Sequence, residues 1–272
     1  MDAGPLRRED EAGGVSVLTL ADAATRNSLS EAMLAALADA FAVIETDRAV
    51  RCVVLAAEGS VFSSGHHLGE MQAHRNDPDG GRTYVEGLFA RCAVVMTSIA
   101  RLRAPVIAAV EGLATAAGCQ LVASCDLVVA GAAARFCTPG VNIGLFCSTP
   151  GVATGRAMAP RAAMEMLLTG ELFDAETARQ AGLINRLVAK GEALAAAKAL
   201  AHTIAGRSAE AIGFGKAAFR DQLALPLDEA YDMASRVMVE NFLADEAKTG
   251  IGAFLEKREV TWRQSPSPSR ER

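Results

Sequence analysis

The stretch Ala114-Thr115-Ala116-Ala117-Gly118-Cys119-Gln120-Leu121 combines what is needed to stabilise a developing negative charge with main-chain groups. An apolar run, Val106 to Val110, precedes it and reads as a buried strand. Small residues follow, and Gln120 to Cys125 reads as the first turns of a buried helix. Side chains this small let a ligand approach backbone N–H groups closely. A helix start aims those groups, and a partial positive charge, at an anion. The fitting chemistry is stabilisation of an oxygen that becomes negative during reaction. A tight strand-to-helix turn packed with small residues has the same pattern, so both readings stand at this point.

A second polar stretch, Val61-Phe62-Ser63-Ser64-Gly65-His66-His67-Leu68-Gly69, follows the apolar strand Cys52 to Ala57. In a parallel α/β layout, loops at the carboxyl ends of strands carry ligand sites. The six cysteines (52, 92, 119, 125, 137, 147) lie mostly inside apolar runs and lack metal-ligand spacing. They read as reduced, buried thiols of a cytoplasmic protein, with no metal site.

The elements that must position these loops alternate. Val15 to Leu20 reads as a first strand, and Ser30 caps an amphipathic helix to Glu45 with Leu34, Leu37, Ala38, Phe41 and Ile44 on one face. Gln72 to Arg82 is a polar, lid-like segment, and Leu88, Cys92, Val95, Ile99 and Leu102 mark a long helix. Short strands at 127–130 and 134–137 follow, then the loop Thr138 to Gly144. This alternation predicts an α/β fold with largely parallel sheet. Beyond Pro150 the chain reads mainly as helices, including 209–223, 227–243 and 247–257. Leu227, Tyr231, Ala234 and Met238 form a stripe assigned to helix packing. The divisions expected are a flexible N-terminus (1–13), an α/β core (14–200), a helical C-terminal region (201–263) and a disordered tail (264–272).

With 272 residues, 51% of them hydrophobic and 22% charged, the chain can bury a full core. A net charge of −5 argues against a nucleic-acid partner. No uninterrupted apolar run reaches membrane-spanning length, so no membrane partner is expected. Met1 to Glu11 lacks an apolar signal core.

Several segments together resemble the enoyl-CoA hydratase/isomerase (crotonase) superfamily. They are Asn27-Ser28-Leu29, Phe62 to Leu68, Val106 to Gly112 with Gly118-Cys119-Gln120-Leu121 and Cys125-Asp126, Leu167-Leu168-Thr169-Gly170 with Ala178 to Ile184, and Gly252 to Arg258. The resemblance runs from about Val15 to Trp262. It implies a spiral of repeated ββα turns with a helical C-terminal trimerisation region, assembled as a homotrimer or hexamer. It also implies an acyl-CoA substrate whose coenzyme A is part of the substrate, with no separate cofactor. The thioester oxygen would be held by the backbone N–H groups of His66 and Ala117. Arg26, His66, His67, Leu68, Gly69, Gly118, Asn142, Cys147 and Lys257 would contact substrate, Lys257 through a CoA phosphate.

The family's two hydratase glutamates fall at Gln120 and Gly140. Glutamine cannot exchange a proton near neutral pH, and glycine has no side chain. Each general acid–base group is worth ~10²–10⁴ in rate, so little hydration is expected. Restoring Gln120→Glu and Gly140→Glu together is expected to raise it. The chain thus resembles hydratase domain-containing members that lack the glutamate pair. Two alternatives accompany an acyl-CoA-processing enzyme: a malonyl-type acyl-CoA decarboxylase using His66, and a non-catalytic acyl-CoA binder.

Overall fold

The computed structural model describes residues 4–262. The chain enters as a hairpin: β1 (Leu6–Glu11) pairs antiparallel with β2 (Val15–Leu20), Leu6 opposite Leu20 and Glu11 opposite Val15. The expectation of a flexible segment through residue 13 is therefore corrected for residues 6–11. The charged run Leu6-Arg7-Arg8-Glu9-Asp10-Glu11 is an edge strand, where charged side chains stay solvated and block further pairing. Ion pairs from Arg8 to Asp47 and from Lys198 to Glu11 tie it down.

α1 (Glu31–Thr46) starts at Ser30, whose side chain accepts the Met33 N–H at 3.2 Å. It buries Met33, Leu34, Leu37, Phe41 and Ile44. The chain then repeats one pattern: a strand of a large sheet, a strand of a small sheet, and a helix. The first unit is β3 (Cys52–Ala57), β4 (Val61–Ser63), α2 (Leu68–Ala73) and α3 (Arg82–Arg101). The second is β5 (Val106–Val110), β6 (Leu113–Thr115) and α4 (Ala117–Ser124). The third is β7 (Leu127–Gly131), β8 (Arg135–Cys137) and α5 (Ser148–Ala157). α6 (Pro160–Thr169), β9 (Phe173–Asp174), α7 (Ala175–Gln180), β10 (Arg186–Val188) and α8 (Ala193–Ala205) close the core. The large sheet has the order β1-β2-β3-β5-β7-β10 and the small one β4-β6-β8-β9. Apart from β1–β2 and β8–β9 the pairings are parallel. This is the crotonase-like ββα spiral.

Alternation along the central strands divides the core, as the two-residue strand period requires. Val53 and Leu55 of β3 face the cluster that holds α1, α3 and α4. Cys52, Val54 and Ala56 face Ala193, Ala197, Leu200 and Ala201 of α8. α3 is long and apolar enough to cross a membrane by length and composition alone, although Glu86 and Arg91 interrupt its apolar run. In this fold it buries Leu88, Cys92, Val95, Met96 and Ile99 and packs on α1 and α4.

α9 (Ala209–Gln222), α10 (Leu227–Leu243) and α11 (Asp245–Leu255) form the C-terminal region. Lys216 of α9 is its anchor: Nζ donates to the carbonyls of Ile99 and Ala104 and pairs with Asp126 at 2.6 Å. Arg220 adds a bond to the Ala100 carbonyl at 2.9 Å. The tail expected to be disordered, 264–272, lies outside the described residues.

Candidate active site

The carboxyl ends of β2, β4 and β6 bring three loops together, and their backbones interlock. Asn27 is buried; its amide donates to the carbonyls of Glu58 and Val61, both at 2.8 Å, and accepts the Asp22 N–H at 2.9 Å. Ser64 N–H donates to the Arg26 carbonyl at 3.1 Å, and Leu29 N–H to the Gly65 carbonyl at 2.8 Å. Asn27 was legible only as part of a family segment; its role as the knot between loops needs the fold.

Gly65 lets the second loop meet the start of α4. A Cβ on it would stand 3.0 Å from the Ala117 nitrogen, the Ala116 Cβ and the Thr115 carbonyl oxygen, and its φ is +82°. Gly118 packs so closely on Ser63 that the Ser63 carbonyl leaves no room for a side chain. Between them Ala116 adopts φ 51°, ψ −120°, a conformation that suits glycine and costs about 1–3 kcal/mol in other residues. Its N–H donates to the Cys137 carbonyl and its carbonyl accepts the Gln120 N–H, both at 3.0 Å. The next N–H, that of Ala117, opens the helix and donates to no acceptor among the described residues; nor does the N–H of His66. Two free backbone donors therefore lie on segments that touch. α4 itself begins at Ala117, one turn earlier than Gln120 suggested.

The His66 ring is wedged between these loops. Nδ1 lies 3.4 Å from the Leu29 carbonyl, and the ring stands edge-on to Phe89 with centroids 5.4 Å apart. Nε2 is buried without a partner. Burial pushes the ring's pKa below the ordinary histidine value, the Leu29 contact opposing it. His67 has a plainer role: Nδ1 accepts the Glu70 N–H at 3.0 Å and so caps α2. Gly69 gives that ring its space, since a Cβ there would fall 2.9 Å from His67 Cε1. Leu68, between them, is exposed.

Gln120 is 5% exposed, and its Oε1 is buried without a partner. Position 140 is filled from outside. A Cβ on Gly140 would stand 2.7 Å from the Leu145 carbonyl oxygen and 2.8 Å from Cys147 Sγ. The loop 145–147 thus occupies the space of the second glutamate. The Cys147 thiol is buried against Gly140, and burial raises its pKa, which makes it a packed thiol rather than a nucleophile. Asn142 is exposed, its amide beside Gly170 at the end of α6. Lys257 and the Arg26 side chain are also exposed. No side-chain hydrogen bond joins Asn142, Lys257 or Arg26 to the rest of the site among the described residues. In the same residues no group of three or more His, Cys, Asp or Glu is placed to hold a metal.

A cavity of about 1330 Å³ lies elsewhere, between α9, α10 and the amino ends of β2, β3 and β5, where Arg51, Arg103, Phe214 and Met233 help to line it. None of Arg26, His66, His67, Leu68, Gly69, Ala117, Gly118, Gln120, Gly140, Asn142, Cys147 and Lys257 lines it. In parallel sheets the strands' carboxyl ends carry the chemistry, so size does not relocate the site.

Comparison with known proteins agrees with this architecture. Residues 10–265 match the enoyl-CoA hydratase/isomerase family model. The Xenopus laevis protein named enoyl-CoA hydratase domain-containing protein 3, mitochondrial, is 42% identical over 96% of this chain and 87% of its own length. A probable enoyl-CoA hydratase of Rhizobium meliloti (strain 1021) is 32% identical over 92% of this chain and 95% of its own. The crystal structure of a Mycobacterium smegmatis enoyl-CoA hydratase superposes with a TM-score of 0.90 at 48% identity, covering 96% of this chain and 99% of that one. The cytoplasmic placement read from the thiols is overturned: the Xenopus relative, and its human, rat and mouse counterparts at 41–43% identity, are named as mitochondrial proteins. Free buried thiols fit any reducing compartment, so they do not single out the cytoplasm. By family model, sequence and fold, this chain belongs to the enoyl-CoA hydratase/isomerase family.

Proposed function

We propose that the chain acts on acyl-CoA thioesters, holding the thioester oxygen between the N–H groups of His66 and Ala117 as it takes on enolate charge. The observation that carries this reading is the pair of backbone donors without acceptors on two segments that Gly65 lets touch. Fixed donors of this kind stabilise developing charge without reorganising, and losing one typically costs ~10²–10³ in rate. Coenzyme A enters as part of the substrate, with His67, Leu68 and Gly69 along its pantetheine arm. The acting form is a homotrimer or hexamer, and Lys257 reaches a CoA phosphate from a neighbouring subunit.

Fast hydration is not part of this reading. Gln120 supplies no exchangeable proton, and the loop at 145–147 takes the place of a side chain at Gly140. Malonyl-type decarboxylation with His66 as proton donor fits less well. The Leu29 carbonyl accepts from Nδ1–H and burial favours the neutral ring, a state in which Nε2 carries no proton to give.

Thermal unfolding tests the thioester reading. Butyryl-CoA at a hundredfold excess over its Kd is expected to stabilise the fold by ~2.7 kcal/mol, and butyrate to do nothing. Equal shifts with both would remove coenzyme A from the proposal. Binding without turnover of any thioester would leave the non-catalytic binder.

A further inference from the structure

Four arginines line the large cavity at the amino ends of β2, β3 and β5, and no carboxylate neutralises them. Arg48 and Arg51 follow α1, and Arg101 and Arg103 lie at and just past the end of α3. Among the described residues none of the four forms an ion pair. Arg51 Nη2 donates to the Arg207 carbonyl, and Arg103 Nη2 to the carbonyls of Asp47 at 3.2 Å and Val50 at 3.0 Å. The Nε–H of both residues is buried and has no acceptor. Unmatched donors on buried charged groups are costly, and these two belong to side chains that line one space.

The carboxylates around the same cavity are engaged elsewhere. Asp10 and Asp47 pair with Arg8, and Glu11 with Lys198. Asp221 pairs with Arg220 and Asp245 with Lys248. Glu210 and Glu246 each accept the other's main-chain N–H. The uncompensated charge is therefore positive and sits on the core side. α9 and α10 add Phe214, Met233 and Val237, all half-buried, so the space has a cationic part and an apolar part.

We propose that this cavity binds a phosphate ester, its phosphate on Arg48, Arg51 and Arg103 and its organic body against Phe214 and Met233. A guanidinium fork matches the spacing of phosphate oxygens, and one phosphate has oxygens enough to serve more than one fork. Burial and then the charge of Arg48 press the Arg103 pKa down, with Arg51 adding to this and Glu45 and Asp47 opposing. An anion among these groups relieves that repulsion. Small-molecule sites typically measure ~300–1,000 Å³, so a cavity of about 1330 Å³ has room for an organic body as well as the phosphate. It lies away from the loops that carry His66 and Ala117 and does not depend on the thioester reading.

The test is calorimetric titration of the full chain with phenyl phosphate and with inorganic phosphate, on wild type, Arg48→Gln, Arg103→Gln, Phe214→Ala and Lys257→Gln. Wild type should bind both, phenyl phosphate about fivefold or more tighter through its buried ring. Arg103→Gln should weaken both about tenfold or more. Arg48→Gln, at an exposed position, should weaken both about threefold. Phe214→Ala should bring phenyl phosphate to the affinity of inorganic phosphate and leave the latter unchanged. Lys257→Gln should change neither. Wild type that binds no phosphate overturns the proposal, as does binding that both arginine variants retain in full. A preference for the phenyl ester that is absent from wild type, or that survives Phe214→Ala, overturns the placement of the organic body. Binding lost in Lys257→Gln alone puts the phosphate at the proposed coenzyme A contact and overturns the cavity site. Arg103 also holds two carbonyls; should Arg103→Gln not fold, as judged by thermal unfolding, wild type and Arg48→Gln decide the matter.

Discussion

His66 contributes to this fold through its main chain and its ring, and the ring makes stability depend on pH. Its ordinary pKa is 6.5, and burial lowers the folded-state value. Above pH 6.5 the ring is neutral in both states, and the fold keeps its full stability. Below 6.5 the unfolded chain takes a proton that the folded ring refuses, so stability falls with pH until the folded value is passed. Within that interval the loss approaches about 1.4 kcal/mol per pH unit. Urea unfolding at pH 7.5 and 5.5 checks this. Wild type is expected to lose more stability than His66→Phe over that step, since other titrating groups are common to both. Equal losses would mean that the ring is hydrated in the native state. The strained Ala116 belongs to the same scale: three of its neighbours in sequence are alanine or threonine, and nothing in those letters announces a positive φ.

The loop after β8 decides what position 140 can hold. The sequence comparison places a lost glutamate there, and restoring it with Gln120→Glu is the obvious repair. The structure puts an obstacle in the way of that repair. Gly140 is not among the positive-φ glycines, so its backbone would accept a side chain. The obstacle is the Leu145 carbonyl and Cys147 Sγ, both within 3 Å of any Cβ added there. Gly140→Glu is therefore expected to destabilise by about 1–3 kcal/mol, as overpacking does. The double variant with Gln120→Glu should still hydrate crotonyl-CoA slowly. Ordinary turnover of about 10–10³ per second from a double variant of unchanged melting temperature would show that the loop yields freely. What sequence reveals divides along the same lines. α1, α3 and α10 carry periodic apolar faces over four or more turns, and their ends are read to within a residue or two at most positions. β4 and β6 are three residues each, too short for any period to show, although they build the small sheet under the site. β1 is missed because its charges read as solvated chain, whereas an edge strand tolerates them. α5 is missed because Pro150, Gly151 and Gly155 look like loop. The capping role of His67 is not visible until α2 is seen to begin at it, where an imidazole nitrogen accepts the Glu70 N–H.

At the scale of the molecule, the C-terminal helices carry an apolar face that the chain itself does not cover. Of the stripe assigned from sequence to helix packing on α10, Leu227, Tyr231 and Met238 face outward at 72, 68 and 64% exposure while Ala234 is half-buried; of α10's residues, Ala230 is the buried one. Phe242 continues the stripe at 62%, and Phe254 of α11 stands 81% exposed. Residues spaced four and seven apart line one side of a helix, so these are a surface rather than scattered exceptions, and monomers rarely leave one so large. α9 is pinned to the core through Lys216 and Asp126, which holds the whole helical region in one place for a partner to meet. The proposed trimer or hexamer follows from this face together with the family. Light scattering at micromolar concentration should give three or six times the 28.3 kDa of one chain. Replacing Met238 and Phe242 together with glutamate should shift the mass toward that of a single chain. Circular dichroism should stay that of the folded protein, because neither side chain contributes to the buried core. A wild-type protein that scatters as a monomer would separate the exposed face from assembly, and with it remove the neighbouring subunit proposed to bring Lys257 to the substrate.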